Sequence, residues 1–214
     1  MKHPALLPLI ASAVLLPILA FFVIRELTTS TASPVASRPP AGPYRGSEPP
    51  AGIYAPDFAL SSYRGNLVRM RSLRGKVVLV TFLDTKCTTS CPLIASAVAD
   101  GLRLLSRAER GQVVALALTV NPVTDTPQSV RTFLRRRHAL GLDFLIGTIR
   151  QVQSVWRAFH VVAAAETGDV DVHSADVRVF DRHGEWVSTL HLRPDLTPKN
   201  LANDIRVALR GGGS

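Results

Sequence analysis

Lys76-Val-Val-Leu-Val-Thr-Phe-Leu-Asp-Thr-Lys-Cys87-Thr-Thr-Ser-Cys91-Pro92 is the stretch on which the fold turns. Its first half, Lys76 to Leu83, is a nearly continuous apolar run, the pattern of a strand buried on both faces. Its second half holds the chain's two cysteines, four residues apart. Pro92 suits the first position of a helix, and Leu93, Ala97, Leu104 and Leu105 extend an apolar pattern to about Arg107. The cysteines therefore fall between a buried strand and the helix that follows it. Cys91 is expected at the helix N-terminus, where free amides and the dipole favour a thiolate. Lys86 adds a positive charge beside Cys87.

Further along, Val113 to Val120 reads as a second buried strand. Thr126-Pro127 opens a helix to about Leu140, and Thr148 to Phe159 is another. Upstream, Phe58–Ser62 and Asn66–Met70 flank Tyr63-Arg64-Gly65 as a hairpin. Downstream, Val177–Phe180 and Trp186–Leu190 flank Arg182-His183-Gly184-Glu185 as a second one, and Pro198 to Leu209 closes as a helix. A βαβ unit followed by ββα, with a reactive pair after the first central strand, is the thioredoxin-like plan. The expected fold class is α/β: thioredoxin-like, with an N-terminal β-hairpin extension and a single N-terminal transmembrane helix.

The transmembrane helix is expected within residues 1–27. Ala5 to Ile24 is 20 residues without a charge, about 30 Å of helix, enough to cross a bilayer core. Lys2 and the amino terminus precede it, while Arg25 and Glu26 cancel after it, so the remainder is expected outside the cytoplasm. A cleaved signal peptide competes with this reading, but its apolar core is usually shorter. Residues 28–51, rich in Pro, Ser and Ala, read as a flexible linker. The folded domain is expected over 52–210, with a disordered tail at 211–214. The net charge of +9 is spread along the chain, densest at Arg135-Arg136-Arg137. This run reads as a solvated helix face, with an acidic protein partner as the alternative. No nucleic-acid motif accompanies it.

Three readings of Cys87 and Cys91 stay open: a structural disulfide, a redox-active dithiol, or a metal site for a soft ion. The first adds little stability, because the loop is so short. Between Pro127 and Pro194 there is no proline, so the cis-proline loop of thioredoxin-type oxidoreductases has no counterpart. His173 stands there instead. Residues 169 to 173 alternate, with Asp169, Asp171 and His173 on one face. Two thiolates and an imidazole suit Cu(I) and can also hold Cu(II). His138, His160, His183 and His191 read as surface or packing residues.

Together these motifs resemble the Sco/SenC family of copper chaperones over roughly Gly52 to Arg210. The resemblance rests on Gly75–Phe82 with Cys87-x-x-x-Cys91-Pro92, on Val120-Asn-Pro-Val-Thr-Asp125-Thr126-Pro127, on Phe144–Gly147 with Val155-Trp156, and on Val172-His173-Ser174 with Phe180-Asp181-x-x-Gly184. The chain departs from the family pattern at Thr88-Thr89-Ser90, where an aspartate is usual, at Asn121, and in the short loop around His173. The resemblance implies a membrane-anchored, extracytoplasmic metallochaperone that binds copper through Cys87, Cys91 and His173. Its partner would be the copper-bearing subunit of cytochrome c oxidase or another copper or thiol protein. If thiol–disulfide exchange is the activity instead, Cys87 and Cys91 are the catalytic pair. Asp84 is read either as tuning the site or as a turn residue.

Overall fold

Strand β3, Val77–Leu83, is buried at all seven positions, as its apolar run requires. In the computed structural model, which describes residues 42–161 and 174–211, it is a central strand of a seven-stranded sheet ordered β2-β1-β5-β4-β3-β6-β7. β4 (Val113–Thr119) and β5 (Asp143–Ile146) run parallel to β3 in sequence across the sheet. β6 (Asp176–Phe180) is antiparallel to β3, and β7 (Trp186–His191) to β6. The expected N-terminal hairpin, β1 (Ala59–Ser62) with β2 (Leu67–Arg69), extends the sheet by pairing with β5.

Alternation along β3 divides the core into two layers. Val77, Leu79 and Leu83 face helix α1 (Ser90–Arg103), α3 (Pro127–Arg136) and α5 (Pro198–Leu209). Val78, Val80 and Phe82 face α4 (Ile149–Phe159) through Val152, Val155, Trp156 and Phe159. Each large apolar side chain fully buried in these layers contributes about 2 kcal/mol. α3 and α4 both open with capping boxes, at Thr126 and Thr148, which explains why their starts were readable.

Several boundaries differ from expectation. α1 begins two residues before Pro92 and ends at Arg103, and a separate short helix α2 follows at Arg107–Arg110 behind its own capping box at Ser106. Leu93 and Leu104 are exposed rather than on the buried face. α3 stops at Arg136, and β5, read as the approach to α4, is a strand. Its four residues are too few to show a period; pairing with β4 and β1 makes them one.

The end of the expected linker is also structured. Tyr44 is buried, and Ser47 exchanges backbone hydrogen bonds with Thr189 of β7 at 2.8 Å each way. The buried Asp204 carboxylate in α5 accepts from the backbone N–H of Arg45 (2.7 Å) and Gly46 (3.0 Å) and from the Ser188 hydroxyl (2.6 Å). A side chain at Gly46 would collide with the Thr189 carbonyl, 2.4 Å from the position of its first carbon. Only glycine lets the strap lie so close.

Among the described residues no helix is long and apolar enough to cross a membrane. The anchor expected in 1–27 lies outside the described residues, as do most of the linker, the last three tail residues and His173.

Candidate metal and thiol site

β3 ends at Leu83, and the chain turns immediately into the cysteine loop. Asp84 organises that turn with every polar group it has. Its carbonyl accepts from the Cys87 N–H (3.3 Å), and its own N–H donates to Cys91 Sγ (3.3 Å). One carboxylate oxygen accepts from the Lys86 N–H (2.7 Å), the other from the Asn121 side-chain amide (3.0 Å). Asp84 has no solvent exposure. It is therefore more than a turn residue, since it ties the thiol loop to the loop after β4.

Cys87 and Cys91 are both buried. Cys91 is the second residue of α1. Its N–H donates to Cys87 Sγ at 3.3 Å, and the Ser90 hydroxyl lies 3.5 Å from the same sulfur. Cys91 thus stands at the helix N-terminus as expected, and its own N–H serves the Cys87 sulfur. The Cys91 thiol is pushed well above its ordinary pKa, first by its hydrogen bond with the Cys87 side chain and then by burial. An amide that donates to the neighbouring sulfur cannot offset that burial.

Asp125 lies beneath the loop, and the sequence named it only as part of a motif, with no role of its own. Its Oδ1 accepts from the Thr85 N–H (2.9 Å) and hydroxyl (2.6 Å), and its Oδ2 from the Thr119 hydroxyl (2.6 Å). Burial raises its pKa to about 6 against these three hydrogen bonds. Thr119 is held in turn, because its carbonyl accepts from the Trp156 indole N–H at 2.9 Å. Its place in the Val120–Pro127 motif, just before the Thr126-Pro127 helix start, was the one available signal.

The chain re-enters the sheet at Asp176, where β6 begins three positions after His173 in sequence. Val177 pairs with Thr81, so continuing that register sets Ala175 level with Leu83, where the cysteine loop departs. The Thr81 hydroxyl donates to the Asp176 carbonyl at 2.7 Å. Arg178, nearly buried, fixes the same strand: it pairs with Asp176 (3.3 Å), donates to the Phe159 carbonyl (2.6 Å) and stacks 4.8 Å over Trp186. His138, His160, His183 and His191 are exposed, as expected.

Two convergent thiols are soft donors that fit a Cu(I) ion. Among the described residues, no group of three or more metal-capable side chains occurs.

The SCO1/SenC family model matches residues 47–210. The chain belongs to that family. The SCO1 protein homolog of Bacillus subtilis is 32% identical over 76 residues, which is 36% of this chain and only 39% of that relative's length. The copper-bound structure of Bradyrhizobium japonicum ScoI is similar at a TM-score of 0.62 with 28% identity, covering 73% of this chain and all of that one (100%). Yeast Sco1 aligns at a TM-score of 0.63 with 21% identity, over 76% of this chain and 98% of that one. This SCO1/SenC chain therefore has the fold of those proteins, the thioredoxin-like α/β fold expected from its sequence. The family match begins at Ser47, inside the strap fastened by Asp204 rather than at residue 52.

Proposed function

We propose that this SCO1/SenC protein is a copper metallochaperone that holds one copper ion through Cys87, Cys91 and His173. The observation that carries the reading is the cysteine loop itself. Two cysteine side chains meet at the junction of a buried strand and a helix, fastened from below by Asp84 and Asp125. The similar Bradyrhizobium japonicum ScoI was solved with copper bound. His173 is the third ligand on the strength of its place in sequence and the register of β6, which returns the chain to the thiol end of β3. Cu(I) is the favoured state for two thiolates, and the imidazole also accommodates Cu(II).

The recipient in this reading is the copper-bearing subunit of cytochrome c oxidase, reached from the outer side of the membrane. The uncharged stretch Ala5–Ile24 would anchor the chain there. Titrating the reduced full-length chain with Cu(I) tests the site. One ion per chain is expected, none after Cys87→Ala with Cys91→Ala, and at least tenfold weaker binding after His173→Ala. Unchanged affinity in the last variant would remove the histidine from the site.

A second reading is favoured by the closeness of the two cysteines, the Cys91 N–H donating to Cys87 Sγ at 3.3 Å. Such a dithiol could reduce a partner's disulfide, giving up two electrons and two protons as Cys87 and Cys91 join. Turnover with a disulfide substrate that requires both cysteines but survives His173→Ala would select it.

A further inference from the structure

A cleft of about 490 Å³ opens directly beside Cys87, between the cysteine loop and helix α3. Its charged lining consists of Lys86 from the loop and Arg136 and Arg137 from the C-terminal end of α3, with Ser129, Thr132 and Thr126 among its polar walls. Among the described residues no carboxylate lines it. Lys86, Arg136 and Arg137 are exposed, and none of the three has an ion-pair partner among the described residues. Three other exposed arginines do have one, Arg64 with Asp143, Arg71 with Asp57 and Arg103 with Asp100, while others such as Arg131 and Arg135 do not among the described residues. Three uncompensated cations around a polar trough, with a sulfur at one end, form a concave surface complementary to an acidic chain segment.

We propose that this cleft is the docking groove for an acidic peptide segment of the protein that exchanges copper with Cys87. The inference rests on Cys87 and Cys91 being copper ligands, and it names the chemistry of the partner and the side from which it approaches. The partner's carboxylates lie against Arg136, Arg137 and Lys86, bringing its own thiolate to the mouth of the cleft. Copper then passes without change of oxidation state: a Cu–S bond to Cys87 forms as one to the partner breaks. Cys87 releases its proton to water, and the departing partner thiolate takes one up.

The far end of the sheet supplies a control. The turn after β6 carries Arg182, whose carbonyl accepts from the Gly75 N–H at 2.8 Å just before β3. Arg182 and Arg210 line a second basic cleft there, which also contains Asp181. Removing those two arginines lowers the net charge as much as removing Arg136 and Arg137, but leaves the thiol end untouched.

The test uses the full-length reduced chain and two synthetic donors. One is a short two-cysteine peptide flanked by glutamates and loaded with Cu(I); the other has glutamines in their place. At low ionic strength, the acidic donor should deliver copper about tenfold faster than the neutral one. Arg136→Gln with Arg137→Gln should remove that advantage and leave the rate from the neutral donor and the copper stoichiometry unchanged. About 0.5 M salt should also erase it. Equal rates from both donors with the unaltered chain overturn the docking proposal, as does an equal loss in Arg182→Gln with Arg210→Gln. Failure of the unaltered chain to take up Cu(I) from a weak small-molecule complex overturns the copper reading itself, and the two failures are separate readouts.

Discussion

The two ends of β3 are each organised by buried aspartate, but in different ways. At the β6–β7 turn, Asp181 Oδ1 accepts from the backbone N–H of His183 (2.9 Å) and Glu185 (2.8 Å), two and four residues along. Everything it binds is in the same turn, which Gly184 completes at a φ of 77°. At the thiol end, Asp84 reaches Asn121 and Asp125 reaches Thr85, contacts that span 37 and 40 residues of sequence. The first carboxylate shapes a local turn. The other two join separate chain segments into a rigid seat for two sulfurs. Both sulfurs in that seat are buried, and Cys87 also lines the neighbouring cleft.

The contrast is sharpest for loss of a carboxylate. Asp125→Ala at pH 5 should destabilise the fold by about 3–4 kcal/mol, because it orphans buried donors on Thr85 and Thr119. Asp181→Ala should cost about 1–2 kcal/mol, since its donors are turn amides that water reaches more easily. Denaturant midpoints of the two variants measure the difference, and equal losses would erase the distinction between the two ends.

A smaller effect should separate the ends by pH. With its pKa raised to about 6, Asp125 stays protonated in the folded chain at a pH where the unfolded chain has ionised it. Its contribution is fully present below about pH 4 and lost as pH rises through about 6. Relative to Asp125→Asn, the unaltered chain should therefore lose about 2–3 kcal/mol between those limits. A difference that is flat with pH would place the carboxyl in a more polar setting than its burial implies.

The smallest expected effect is at the local turn. Gly184→Ala forces a side chain into left-handed backbone and towards the Arg74 guanidinium, 2.7 Å from its first carbon. About 1 kcal/mol should be lost. Copper affinity should not change, because Gly184 lies at the end of the sheet remote from the cysteines. A change in affinity would mean that the two ends are coupled through β3.

The legibility of these regions in the sequence follows the same division. Arg182-His183-Gly184-Glu185 announced a turn, and Pro198–Leu209 announced a helix, because their signals lie within a few residues of one another. The apolar run of β3 was equally plain. Asp125 was not recognised as a support, since its three donors come from Thr85 and Thr119. β5 was missed because four residues carry no readable period. Tyr44–Ser47 was assigned to the linker on composition, and its attachment depends on Asp204 some 158 positions away from Gly46.

Sequence alone determined most of the strands and helices, the place of Cys87 and Cys91 between the central strand and its helix, and the family. Those properties follow from local periodicity, capping residues and motif spacing. Tertiary structure decided which sulfur the helix amide serves, which carboxylates hold the loop, where the N-terminal strap is fastened, and that Lys86 meets Arg136 and Arg137 around one cleft. Each of these depends on distant segments meeting in space. Burial and hydrogen bonding then determine what charge a group can carry, and no single stretch of sequence records either.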